Sequence, residues 1–282
     1  MTKYIHLNLK RFDVLDELGG VNHSKDITRW ASNIMEQVQP TLIELKRKYD
    51  IECVVYFPET HLLPALSVQM EETPLKVGCQ SVYRRDVSAG GNFGAFTTNR
   101  PAASMKQLGV THTLIGHFEE RLDKKELLEI AGATDFSSVN TILNQEIKAA
   151  QNQGLKVLYC IGESAEERMG DWQSVLKEQV LSGLVDVEEK SVVIAYEPIW
   201  AIGPGKTPPS FEQIQEVSDF LKSLKPDIPV IYGGGLKLDN AKGMATIDSL
   251  DGGLIALTRF SGDIGFYPEE YLAIINEYLG EK

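Results

Sequence analysis

The chain has 282 residues, of which 43% are hydrophobic, 24% charged and 8% aromatic. This is an ordinary globular composition with enough apolar mass for a sizeable core, which excludes global disorder and a disulfide-stapled miniprotein. Its 28 basic and 40 acidic side chains leave a formal charge of −12, and the longest basic run is Lys46-Arg47-Lys48, so no nucleic acid is expected as a partner.

An anionic metabolite would have to be held against this overall charge by helix N-termini and one or two lysines. Cys53, Cys79 and Cys160 are odd in number and lack CxxC spacing, so they are expected as reduced, buried thiols of a cytoplasmic protein. The start, Met1-Thr2-Lys3-Tyr4, opens only a short apolar stretch broken by His6 and Asn8, unlike a signal peptide. No apolar run approaches the ~18 residues of a membrane span, so no membrane partner is expected.

In chain order, short β-rich runs fall at 3–9, 52–57, 76–79, 111–115, 156–161, 191–197, 228–233 and 252–257. Between them lie stretches of helical period. The clearest is Ile27, Trp30, Ala31, Ile34, Met35 and Val38, entered through Ser24 as N-cap. Continuous apolar strands separated by helices indicate a parallel sheet buried on both faces, and eight such units in this length predict an α/β protein of the (β/α)8 barrel type. No linker or shift of composition divides the chain, which is read as a single domain over 1–282. A doubly wound open sheet shares the alternation, but the turn after the first strand lacks GxGxxG and the strand count favours the barrel.

In a barrel the chemistry sits at the C-terminal ends of the strands. There stand Asn8 and Lys10 after the first run, Gly116, His117 and Glu119 after the fourth, Cys160, Gly162 and Glu163 after the fifth, and Glu197 after the sixth. Taken singly, these could be solvated carboxylates, a satisfied histidine and a surface lysine. A Lys, a His and a Glu at one mouth point instead to a site that moves protons beside a carbonyl. Two glycine-rich loops, Ile202-Gly203-Pro204-Gly205-Lys206 and Tyr232-Gly233-Gly234-Gly235, offer backbone N–H groups ahead of helices and suit a phosphate.

The segment Ala195-Tyr196-Glu197-Pro198-Ile199-Trp200-Ala201-Ile202-Gly203 resembles the signature and lid of the triosephosphate isomerase family. Asn8-Leu9-Lys10, Gln80, Gly94-Ala95-Phe96-Thr97, Gly116-His117-Phe118-Glu119, Cys160-Ile161-Gly162-Glu163 and Tyr232-Gly233-Gly234 fall in that family's order and on the strand ends it uses. The resemblance spans the chain. It implies a (β/α)8 TIM barrel and an aldose–ketose isomerase of a short sugar phosphate, working through an enediolate without metal or organic cofactor. Through the Thr97 loop, it implies a homodimer.

By the same resemblance Glu197 would be the base that removes a proton beside the carbonyl. His117 would polarise the substrate oxygens as a neutral electrophile, Lys10 would supply fixed positive charge, Asn8 would complete the oxyanion site and Glu119 would hold Lys10. Gly203, Gly235, Ala256 and Leu257 would form the phosphate site. Trp200 would be the hinge of the lid. Trp30 and Trp172 are read as core, and Cys160 as a packed thiol.

Several positions depart from the family's pattern. Ala256 and Leu257 replace the Gly-Gly pair that ends its eighth strand, followed by Thr258 and Arg259. A glycine chosen for positive φ or close ligand approach does not become leucine without consequence, so the pocket floor is expected to differ, with Arg259 as a candidate extra charge. Phe118 stands for a serine, Glu120 for an arginine, Pro204 for a threonine and Gly235 for a serine. The segments 11–23 and 122–140 are longer than the family's. An isomerase of a triose or tetrose phosphate follows as the leading reading, with a non-catalytic binding or regulatory barrel as the alternative. A barrel aldolase or decarboxylase would need a Schiff-base lysine inside a strand or a metal-ligand cluster, and the sequence offers neither.

Overall fold

The structure is a computed structural model that describes residues 2–24, 26–202 and 206–281. Every predicted apolar run forms a strand: β1 (Lys3–Asn8), β2 (Ile51–Phe57), β3 (Leu75–Gln80), β4 (His112–Ile115), β5 (Lys156–Ile161), β6 (Val192–Tyr196), β7 (Val230–Tyr232) and β8 (Gly252–Ile255). All pairings are parallel, and β1 pairs with both β2 and β8, so the sheet closes into a barrel in sequence order. The predicted runs overshoot at β7 and β8, where Ile228, Ala256 and Leu257 lie outside the ladder. Around the barrel run α1 (Trp30–Lys48), α2 (Leu62–Ser67), α3 (Ala102–Leu108), α4 (Phe118–Ile130), α5 (Ser138–Asn152), α6 (Ala165–Met169), α7 (Trp172–Gly183), α8 (Phe211–Leu224), α9 (Ala241–Met244) and α10 (Pro268–Leu279).

Strand residues alternate between two apolar layers, as the two-residue period requires. On β2, Val54 and Tyr56 point into the barrel with Leu114, Leu158, Cys160, Val193, Ala195, Ile231 and Leu254. Cys53, Val55 and Phe57 face outward, with Trp30, Ile34 and Met35 of α1 in the surrounding layer. Tyr56 fills the interior so closely that a Cβ on Gly78 of β3 would lie 2.5 Å from its ring, so only glycine fits there. Trp30 is core as expected, and the three cysteines are buried free thiols.

The entry to α1 differs from expectation. Asp26, not Ser24, caps it: the Asp26 carboxylate accepts from the Thr28 N–H at 3.0 Å and starts a single 3-10 turn that leads into Trp30. Ser24 instead has its N–H bound to the Asn22 side chain. A carboxylate at the positive end of a helix adds charge to the capping bond, which a hydroxyl does not.

Toward the N-terminal end the barrel interior is ionisable. His6 Nδ1 lies 3.0 Å from the Tyr56 hydroxyl, and burial, followed by His112, pushes the His6 imidazole down to about 3. Burial lowers His112 in the same way. Glu52 accepts from Lys156 at 2.6 Å and stands 3.5 Å from His112. Burial alone would raise the Glu52 carboxyl, but its interactions with His112 and Lys156 outweigh it and hold it at about 2. Among the described residues, no helix is long and apolar enough to cross a membrane.

Candidate active site

The ends of β4 and β6 bring His117 and Glu197 together, and the end of β1 carries Asn8 and Lys10. Asn8 is buried at the end of β1, and its Oδ1 accepts from the Lys10 N–H at 3.0 Å and from Gln80 Nε2 at 3.3 Å. Gln80 Nε2 also donates to the Lys10 carbonyl at 3.0 Å. Lys10 has a φ of 43°, a left-handed conformation that costs a non-glycine residue about 1 kcal/mol or more and persists only where neighbours over-determine it. Gln80, arriving from β3, is that neighbour. The sequence marked Gln80 by resemblance only and gave it no role.

His117 is the N-cap of α4, and its Nδ1 accepts from the Glu119 N–H at 3.3 Å. A ring nitrogen that accepts a backbone N–H carries no proton, so this geometry fits a neutral imidazole with hydrogen on Nε2. Nε2 lies 3.7 Å from Glu197 Oε1.

Glu197 is buried just after β6, its own N–H bonded to the Ile161 carbonyl at 2.7 Å. Its Oε2 accepts from the Phe118 N–H at 3.0 Å. The residue that replaces the family's serine therefore still holds the carboxylate through the backbone, at the first turn of a helix where anions are favoured. Gly233 is needed beside it, since a Cβ there would meet Glu197 Cγ at 2.8 Å.

Glu119 does not hold Lys10. The helix begins at Phe118, so its first turn carries Glu119 to the surface, and it forms no ion pair with Lys10. Among the described residues, Lys10 has no carboxylate partner. Glu120 is absorbed instead into a buried network: it accepts from the Gly116 N–H at 2.6 Å, the Ser81 hydroxyl at 2.5 Å and Lys124 at 2.9 Å. Burial alone would raise Glu120, yet Lys124 and these donors hold it below the usual carboxylate range. Lys124 also stands 3.2 Å from Glu146, which burial and the neighbouring Glu120 charge push up.

At the end of β5, Glu163 is buried and accepts from the Tyr196 hydroxyl at 2.8 Å and from Trp200 Nε1 at 3.0 Å. Burial raises its pKa. Trp200 is thereby tied to the barrel, while the Arg168 guanidinium covers its ring and that of Trp172. Cys160 is a packed thiol, raised by burial and by the Glu197 charge.

The phosphate side looks different. Gly203, with Pro204 and Gly205, lies outside the described residues. Gly235 has a φ of +104°, which suits glycine. Ala256 and Leu257 are half-buried, and neither has positive φ, so the backbone conformation that would have demanded glycine is not used here. Among the described residues, neither of their N–H groups donates to a protein acceptor. The proposed role of Arg259 fails: its Nε and Nη2 both bind Glu270 Oε1, at 2.8 and 2.5 Å, and its guanidinium stacks 3.7 Å from the centre of the Tyr267 ring. Its charge is neutralised by a residue on α10. No cluster of His, Cys, Asp or Glu among the described residues is placed to hold a metal ion.

A closed barrel with ionisable and hydrogen-bonding groups gathered at the C-terminal mouth defines an α/β-barrel enzyme. The family model for triosephosphate isomerase matches residues 24–277. The triosephosphate isomerase of Trichlorobacter lovleyi is 34% identical over 238 residues, 80% of this chain and 86% of that protein. That of Acaryochloris marina is 34% identical over 203 residues, 71% and 77% of the two chains, and that of Alkaliphilus oremlandii 30% over 263, 89% and 94%. The crystal structure of the Bartonella henselae triosephosphate isomerase superposes with a TM-score of 0.70 at 23% identity, covering 99% of this chain and 100% of that one. The chain belongs to the triosephosphate isomerase family. It is an aldose–ketose isomerase of a short sugar phosphate.

Proposed function

We propose that Glu197, His117, Lys10 and Asn8 carry this isomerisation, and that the substrate range extends from triose to tetrose phosphates. The Glu197 carboxylate takes the proton from the carbon beside the carbonyl. The C–H electron pair becomes the C=C bond of the enediolate, and the carbonyl π pair moves onto oxygen. His117 Nε2–H, the Asn8 side chain and the Lys10 charge face that oxygen, and His117 passes a proton between the two oxygens. Glu197 then returns its proton to the neighbouring carbon. Oxyanion donors on one side and a base on the other are what an enediolate needs in a water-poor pocket.

The observation that carries this reading is the 3.7 Å separation of Glu197 Oε1 from His117 Nε2 at the strand ends. With Glu197 bound to the Phe118 N–H, the carboxylate rests beside the site and reaches substrate by a change of rotamer. The altered residues at 235, 256 and 257 support a wider substrate range, because they change the end of the pocket remote from proton transfer.

We also read the 282 residues as one domain acting as a cytoplasmic homodimer. The loop between β3 and α3 supports the dimer: Phe93 at its tip is 87% exposed, and Phe96 packs edge-on against Tyr83. The three buried thiols fit a reducing compartment. Steady-state assays with dihydroxyacetone phosphate and a four-carbon ketose phosphate test the proposal. We expect kcat/KM for the tetrose to equal or exceed that for the triose. Triose turnover near the diffusional ceiling with no tetrose turnover would overturn the wider range, and tight binding without turnover of either would overturn the catalytic roles.

A further inference from the structure

On the phosphate side, one cation stands apart from the rest. Lys237 follows Gly235 by two residues in the loop after β7. A Cβ placed on Gly235 would lie 3.6 Å from Lys237 Cε, so the lysine stem runs in van der Waals contact with the position where a side chain at 235 would begin. Its Nζ sits 4.1 Å from the centre of the Phe260 ring, in the loop after β8. Lys237 is half-buried, and among the described residues no carboxylate lies within ion-pair distance of it. Arg259, the neighbour of Phe260, is by contrast fully paired with Glu270.

The loop is also held in shape. The Lys237 N–H donates to Asn240 Oδ1 at 2.8 Å, and Asn240 Nδ2 donates to the Gly235 carbonyl at 3.0 Å. Its beginning is fixed at the catalytic carboxylate, because Gly233 packs against Glu197 Cγ. A short, braced segment therefore joins the base to an unneutralised ammonium group. In a chain carrying a net charge of −12, a partly desolvated lysine without a counterion is a site that lacks its anion. An aromatic face is a weak substitute for one, worth about a two- to fivefold preference at exposed sites.

We propose that Lys237 is the specificity residue that receives the substrate's phosphate, with its stem alongside Gly235 and Phe260 holding the ammonium while the site is empty. The free N–H groups of Ala256 and Leu257 then complete the cradle. The inference rests on the sugar-phosphate reading above and adds to it the group that recognises the phosphate.

The test compares Lys237→Met, which keeps the stem and removes the charge, with Lys237→Arg, which keeps the charge. Each is assayed with dihydroxyacetone phosphate, with unphosphorylated D-glyceraldehyde and with inorganic phosphate as competitive inhibitor, alongside melting curves. For Lys237→Met we expect KM for the phosphorylated substrate and Ki for inorganic phosphate to rise about tenfold, with a much smaller effect on kcat. The loss on the phosphorylated substrate should exceed the loss on D-glyceraldehyde by a similar factor, and Lys237→Arg should recover most of it. Equal losses on both substrates, or an unchanged Ki for phosphate in a folded Lys237→Met protein, would overturn the proposal. If the parent enzyme is itself indifferent to inorganic phosphate and to phosphorylated sugars, the sugar-phosphate reading fails first, and the two failures are thus distinguished.

Discussion

The two halves of the barrel mouth follow different rules. Around β1, β4 and β6 the groups proposed for the chemistry are side chains, Asn8, Lys10, His117 and Glu197, all of the type that the family resemblance implies. Around β7 and β8 the chain departs from that pattern at Gly235, Ala256, Leu257 and Arg259, yet none of the non-glycine residues among them has positive φ. Proton transfer demands one functional group at one atom's position, and few residue types can supply it. A phosphate can be met by backbone N–H groups, by a helix terminus or by a cation, so its binding site can be rebuilt without touching the chemistry.

This contrast is broken most directly at Glu197. Glu197→Gln is expected to lower kcat by at least ~10²-fold while the circular dichroism spectrum is preserved; turnover retained by the folded variant would show that the base lies elsewhere. Lys10→Met is expected to lower kcat/KM by roughly tenfold or more, the scale of one charge-assisted contact, with the melting temperature little changed. A variant that instead unfolds, with activity per folded molecule preserved, would make Lys10 a structural residue. The contrast is sharpened on the other side by Ala256→Gly with Leu257→Gly. Since neither position uses positive φ, the pair should change kcat/KM by less than about tenfold, and the triose-to-tetrose preference should shift by no more than the ~1–3 kcal/mol that one methylene decides.

The barrel was legible because each strand is a continuous apolar run, buried by the inner layer on one face and the helices on the other. His117 and Glu197 were legible in position for a related reason: they sit two residues past β4 and one past β6, where the register fixes their place. What escaped the sequence depends on contacts between distant segments or on where a helix starts. Glu119 was misplaced because α4 begins at Phe118 and turns it outward. Arg259 was taken as free because Glu270, its partner, arrives on α10. The meeting of Lys237 with Phe260 joins two separate loops, and no local pattern announces it. Ser24 reads as the cap in the sequence, but Asp26, two residues on, takes that place with a carboxylate.

The buried histidine at the opposite end of the barrel gives the fold a response to acid of its own. An unfolded histidine titrates near 6.5, whereas His6 stays neutral in the fold down to about 3. Between those values the unfolded chain binds the extra proton, so stability falls as pH falls, by about 2 kcal/mol already at pH 5. His112 acts in the same direction, while Glu52, held at about 2, adds its loss only below the ordinary carboxylate range. His6→Gln should therefore lose less melting temperature than the parent between pH 7 and pH 5, and an equal loss would place the acid sensitivity elsewhere. Durability in mildly acidic surroundings is thus written into residues that never meet substrate, and it can be altered by selection or by design without moving the pH profile of catalysis.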